Sequence, residues 1–188
     1  MWTVLALAAS AASCVLRPAP DPSRFYVLAA TVRDSPQPLG SMAVGLGPIT
    51  MPGYLQHPMI ATRMNGTQVR YADVDRWAEP LPALFGRALG QDLGTLLGIR
   101  VVPYPWYRST PLDAVVRVDV SAFEVDAAGT ARLDACWSIR DTQASTVRRQ
   151  ECSSITEAVD DSHTDAQVAA LSRAVGELAR RMASMIAS

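Results

Sequence analysis

The sequence holds two histidines, His57 and His163, so few positions can supply an imidazole general base. His163 lies in Asp160-Asp161-Ser162-His163-Thr164-Asp165, where a hydroxyl, an imidazole and carboxylates stand side by side. Members of a catalytic triad converge from separate segments, whereas acidic residues before an apolar stripe suit the positive end of a helix dipole. The run therefore reads as a solvated helix start. His57, before Pro58, reads as a loop residue, and the carboxylate pairs Asp73/Asp75 and Asp119/Glu124 read as surface positions of strands and turns. No Gly-x-Ser-x-Gly, Walker or Gly-x-Gly-x-x-Gly pattern occurs, and in Gly45-Leu46-Gly47-Pro48 the proline removes a backbone donor that a phosphate would need. All 17 basic residues are arginines, which excludes Schiff-base lysines and P-loop lysines. Against 18 acidic residues they also leave no excess positive charge for nucleic acid. These residues predict a protein that is not an enzyme and carries no cofactor.

Three cysteines remain. Cys136 and Cys152 fall on consecutive expected strands and face each other if their hairpin is centred near Ala144, so a disulfide is expected, with two separate thiols as the alternative. Neither Cys-x-x-Cys spacing nor a histidine pair accompanies them, so no metal site is expected.

Cys14 follows an uncharged apolar run, Met1 to Ser13, of signal-peptide length and too short to span a bilayer. Ala11-Ala12-Ser13-Cys14 is similar to a bacterial lipobox, which makes residues 1–13 a signal peptide and Cys14 the lipidation site. The alternative is a plain cleaved signal. Pro18, Pro20 and Pro22 keep residues 14–23 extended, as a tether. With Val15 rather than aspartate after the cysteine, sorting to the periplasmic side of the outer membrane is expected.

The rest, residues 24–188, reads as one periplasmic domain. Arg24–Ala29 and Met42–Ile49 are β-prone, and Met59–Arg63 and Thr67–Tyr71 flank Asn65-Gly66, a hairpin signal suited to positive φ angles. Helical spacing runs from Trp77 to Leu97, with Gly98 as its stop. Ile99–Tyr104, Ala114–Val125, Leu133–Ile139 and Thr146–Ser153 read as further strands, the last three as a meander. From Thr164, Val168, Leu171, Val175, Leu178, Met182 and Met185 form an amphipathic stripe with Gln167 placed for a capping box. That stripe suits packing on a sheet, or a self-association seam in a homo-oligomer. The expected fold class is α+β: an antiparallel sheet with two long helices packed on one face. Aromatic and proline residues concentrate at Pro48–Tyr54 and at Pro103-Tyr104-Pro105-Trp106-Tyr107, a composition suited either to a docking patch or to closing the core at a sheet edge.

Arg24-Phe25-Tyr26-Val27-Leu28, Gly47-Pro48-Ile49-Thr50-Met51-Pro52-Gly53-Tyr54-Leu55, Arg63, Arg76-Trp77-Ala78-Glu79-Pro80-Leu81 and Pro105-Trp106 follow the lipobox in order. This combination resembles the ABC-type transport auxiliary lipoprotein family across nearly the whole mature chain. The resemblance implies a non-catalytic lipoprotein of the outer membrane, working beside an MCE-domain protein and an inner-membrane permease in lipid transport. It makes Cys14 the lipidated cysteine, and Pro52, Tyr54, Leu55, Arg63, Trp77 and Trp106 determinants of the fold or of partner docking. Gly53 stands where the family often has an acidic residue, and Gln56-His57 replaces a charged pair. A scaffolding lipoprotein of a secretion or pilus assembly, or a small periplasmic hydrolase acting through His163 or a carboxylate pair inside a cleft, are the competing readings.

Overall fold

The computed structural model describes residues 20–33, 40–107, 109–143 and 147–187. Cys14, the expected signal segment and most of the expected tether lie outside the described residues. Eight strands and two helices follow in the order β1 (Arg24–Tyr26), β2 (Ala43–Thr50), β3 (Met59–Arg63), β4 (Val69–Trp77), α1 (Leu81–Leu97), β5 (Arg100–Pro103), β6 (Ala114–Asp126), β7 (Thr130–Asp141), β8 (Val147–Ala158) and α2 (Thr164–Ile186). The class is α+β, as the sequence predicts.

The expected meander is present: β6, β7 and β8 pair antiparallel, as do β3 and β4. The sheet as a whole is mixed, because β2 pairs parallel with both β5 and β6, β3 with β6, and β1 with β4. Parallel strands are covered on both faces and lose polar alternation, and the first five residues of β2, Ala43 to Gly47, are all buried.

One edge of the long β6 serves two partners. Residues Ala114 to Asp119 pair with β2, and Val125 and Asp126 pair with β3. The sheet thus forks, with β2–β5 on one prong and β3–β4–β1 on the other, and the stretch of β6 between them has no strand on that edge.

The helices pack on one face. Val116, Val118, Val120, Phe123 and Val125 of β6 and Leu133, Ala135, Trp137 and Ile139 of β7 join the buried side chains of α1 and α2 in one core. The α2 stripe is buried in that core, from Val168 to Met185, which assigns it to the sheet and not to a seam. Cys136 and Cys152 are register partners on the opposite face and form a disulfide.

Three local expectations change. Trp77 is the last residue of β4, not the first of the helix; its spacing to Leu81 and Leu84 imitates a helical face, while Pro80 stands at the cap and starts α1. The β3–β4 hairpin turns without a positive φ at Gly66; instead the Asn65 Oδ1 accepts the backbone N–H groups of Thr67 and Gln68, both at 3.0 Å. The capping box at α2 does not form, because the Thr164 hydroxyl donates to Asp75 Oδ2 at 2.5 Å and Gln167 reaches the Ser162 carbonyl.

After β1, residues 27–33 cross the helices as a strap, with Leu28 and Val32 buried. Its backbone donors are met by side chains: Ala29 N–H by Ser172 Oγ at 3.2 Å, and Thr31 and Val32 N–H by Asp92 Oδ1 at 2.9 Å. Gly176 permits this approach, since a Cβ there would lie 2.2 Å from Thr31 Oγ1. Gly176→Ala is therefore expected to destabilise the protein by about 1–3 kcal/mol through overpacking. Thr31→Ala in the same chain should recover most of that loss in a urea titration. An undiminished loss in the double variant would show that the strap is not what the new methyl group strikes.

Burial pushes the Asp92 carboxyl above its ordinary value, against the opposing pull of the Val32 and Thr31 amides and the more distant Arg180 and Arg33. The folded state then holds this proton more tightly than the unfolded chain, so stability falls as pH rises from 3.8 toward the folded value. Asp92→Asn keeps the Oδ1 acceptor and removes the charge. Its stability relative to the parent should increase from pH 4 to neutrality; a pH-independent difference would refute the assignment.

Candidate docking site

The stretch of β6 left bare by the fork is filled by Met51 to Pro58, whose centre is a 3-10 turn at Gly53–Gln56. Pro52 precedes the turn and its carbonyl accepts the Leu55 N–H at 3.0 Å, while Leu55 drops into the core. Tyr54 donates its hydroxyl to Glu124 Oε2 at 2.6 Å, and Arg63 binds Glu124 Oε1 through Nε at 2.9 Å and Nη2 at 2.8 Å. Arg63 Nη2 also donates to the Tyr54 hydroxyl at 3.1 Å, and its guanidinium stands 5.2 Å from the Tyr54 ring centre. Glu124 Oε2 accepts the N–H of Phe123, a residue of the unpaired stretch. The carboxylate thus takes the place of part of the missing strand.

Glu124 is 4% exposed, not a surface carboxylate as the sequence suggests. Burial, followed by the hydrogen bond and charge of Glu124, pushes the Tyr54 phenol up to about 12, outweighing the nearby Arg63. The Tyr71 hydroxyl donates to the Tyr54 carbonyl at 3.0 Å, and its ring stacks on His57 with centroids 4.4 Å apart. Pro52, Tyr54, Leu55 and Arg63 are therefore one assembly that closes the fork. Sequence reasoning missed Glu124 because nothing in its flanking residues marks a β6 position whose edge lacks a strand.

Trp77 is separate from this assembly and lies in the core, 6% exposed. Trp106 belongs to a third place. After β5 the chain folds over β2, where a Cβ on Gly45 would meet Leu112 at 2.7 Å and the Trp106 ring at 3.3 Å. Trp106 is half-buried and meets Tyr104 edge-on with centroids 5.2 Å apart, while Tyr104 is 56% and Tyr107 84% exposed. Peptide bonds Gly47–Pro48 and Tyr104–Pro105 are cis. Beside Tyr104 opens a cleft of about 420 Å³ between the ends of β2 and β5 and the first half of α1, lined by Leu46, Pro48, Ile49, Pro82 and Pro103. Its charged lining residue, Arg87, is paired with Glu79. An aromatic ridge flanking an apolar cleft is a surface suited to a protein partner.

His163 and its neighbours are not arranged as a triad. Ser162 Oγ donates to Asp161 Oδ1 at 3.3 Å, and His163 Nδ1 lies 2.7 Å from the same oxygen. The hydroxyl is thus bonded to the carboxylate and not to the imidazole that would activate it, and the His163 side chain is 78% exposed. No cluster of three metal-ligating side chains occurs among the described residues.

Several solved structures share this fold. An uncharacterised protein superposes with a TM-score of 0.68 at 18% identity, covering 81% of this chain and 97% of the other. Protein XCC0632 from Xanthomonas campestris gives 0.69 at 19% identity, covering 85% and 92%. The hypothetical protein CT253 from Chlamydia trachomatis gives 0.52 at 9%, covering 78% and 96%. No curated protein matches the sequence. Residues 26–183, which run from the end of β1 into the last turns of α2 and include the fork and the aromatic ridge, match the family described as ABC-type transport auxiliary lipoprotein component, and the chain belongs to that family.

Proposed function

We propose that the protein is a non-catalytic auxiliary subunit of an ABC/MCE-type system that moves lipid between the two membranes of the envelope. Cys14 carries the lipid anchor in the inner leaflet of the outer membrane, and the proline-rich tether lets the domain reach its partners in the periplasm. One myristoyl chain binds a membrane only marginally, whereas a multiply acylated cysteine holds stably. Confinement near one membrane raises the local concentration of the domain for an MCE-domain protein and its permease without any new contact.

The observation that carries the reading is the exposed Tyr104–Tyr107 ridge beside its apolar cleft, in a chain whose family is an auxiliary transport component. The partner is a protein surface that offers apolar side chains to the cleft.

Two substitutions test the two halves. Cys14→Ser should release a folded protein into the soluble fraction, and retention in membranes would refute the anchor. Tyr104→Ser with Tyr107→Ser should abolish co-purification of the MCE-domain protein or permease from gently solubilised membranes, with the melting temperature unchanged. Recovery of secretion or pilus components in place of transport proteins would transfer the anchor and fold to a scaffold.

A further inference from the structure

A second recess, of about 620 Å³, lies on the face of the sheet away from the helices, between the tips of the β3–β4 and β6–β7 hairpins. The two tips are joined by a hydrogen bond from Ala127 N–H to the Arg63 carbonyl at 3.0 Å. Arg63, Arg132, Glu124, Asp126 and Asp134 line it, which brings five charged side chains into one polar concavity.

Most of their hydrogen-bonding capacity is spent internally. Arg63 meets Glu124 through Nε and Nη2. Arg132 meets Asp134 through Nε at 2.7 Å and Nη2 at 2.5 Å, and Asp134 is held in turn by the Ser154 hydroxyl at 2.6 Å. Asp126 uses Oδ1 to accept the N–H groups of Ala128 at 2.9 Å and Thr130 at 2.8 Å, which fixes the β6–β7 turn. What this bonding leaves over among the described residues includes Nη1 on each guanidinium, one N–H of Arg132 Nη2 and Oδ2 on Asp126. Both arginines are held in place by their carboxylates, so little side-chain freedom is lost when a ligand binds.

The two ion pairs cancel, and Asp126 leaves the lining with one net negative charge. A bare phosphate dianion would be repelled by that charge. A ligand bearing a phosphate and, a few ångströms away, an ammonium group matches the free donors and the free acceptor together.

We propose that this recess binds a zwitterionic phosphate ester of the phosphoethanolamine type, its phosphate on Nη1 of Arg63 and Arg132 and its ammonium on Asp126. The shared chemistry is found both in a phospholipid headgroup and in a free soluble ester. The inference is independent of the docking ridge, which lies on other residues.

The test is calorimetric titration of the full-length protein in neutral detergent with O-phosphoethanolamine. Saturable binding is expected, weakened about tenfold by Arg132→Gln and again by Asp126→Asn, since each removes one charge-assisted contact. Asp126→Asn retains the Oδ1 acceptor, so the turn and the melting temperature should be preserved. Inorganic phosphate and ethanolamine alone should each bind at least about tenfold more weakly. Absence of saturable binding, binding unaffected by both variants, or equal affinity for inorganic phosphate would each overturn the proposal. A short-chain phosphatidylethanolamine below its micellar concentration separates the two sources. Tighter binding than the free ester assigns a membrane lipid, and equal or weaker binding assigns the soluble ester.

Discussion

Replacing Glu124 with alanine should lower the unfolding free energy by about 3–5 kcal/mol, near the lower end because Arg63 keeps partial contact with water. The substitution removes an acceptor shared by three donors: the Arg63 guanidinium, the Tyr54 hydroxyl and the Phe123 N–H. Water can reach Arg63 more readily than the N–H of the core residue Phe123, so the backbone group bears much of the cost. Tyr54→Phe removes two hydrogen bonds of the same network, one donated to Glu124 and one accepted from Arg63, and should cost about 1–3 kcal/mol. Arg63→Met added to Glu124→Ala should recover part of the loss, since it removes the stranded cation. Urea denaturation reads all three, and a loss below about 1 kcal/mol for Glu124→Ala would show that the fork is closed by apolar packing around Leu55 alone.

Trp77→Ala should be at least as damaging, at about 3–5 kcal/mol, because it empties a buried volume of the core at the β1–β4 edge. Tyr107→Ser, on a side chain that is 84% exposed, should change stability by no more than about 0.5 kcal/mol. The contrast separates a buried residue of the family motif from the exposed ridge that adjoins its Trp106. If Trp77→Ala proved thermodynamically silent and blocked partner recovery, the core placement of Trp77 would be wrong. The opposite pattern makes Trp77 a fold determinant and leaves docking to the ridge.

Much of this architecture was legible beforehand, because periodicity is a local property. The alternating valines of β6, the apolar stripe of α2, Gly98 at the end of α1 and the facing cysteines all reveal themselves within a few residues. Parallel pairing did not, since β1 meets β4 and β2 meets β6 across long separations that no local pattern encodes. The fork was hidden for the same reason, and with it the reason that Tyr54 and Arg63 matter. The acidic turn before α2 was readable as a helix start, but the use of its Thr164 hydroxyl by Asp75 depends on β4 lying beside it. Glu124 looked superficial because an alternating strand ordinarily presents such a residue to water.

The strap and the first strand also define a load path. A pull arriving through the residues before Pro20 enters the domain at Arg24, where two guanidinium bonds to Asp75, at 2.6 and 2.9 Å, tie β1 to β4. Asp75 is bonded in turn to Thr164, so the first increment of tension passes into the head of α2 before the strap bears any of it. Peeling must then extract Leu28, break the Ser172 contact and strip two amides from Asp92, in that order along the chain. The domain meets such a pull with a sequence of small locks, the first between strands and the later ones on the helices, so tension on the proposed tether would loosen the helical layer while the β6–β7–β8 meander stays whole.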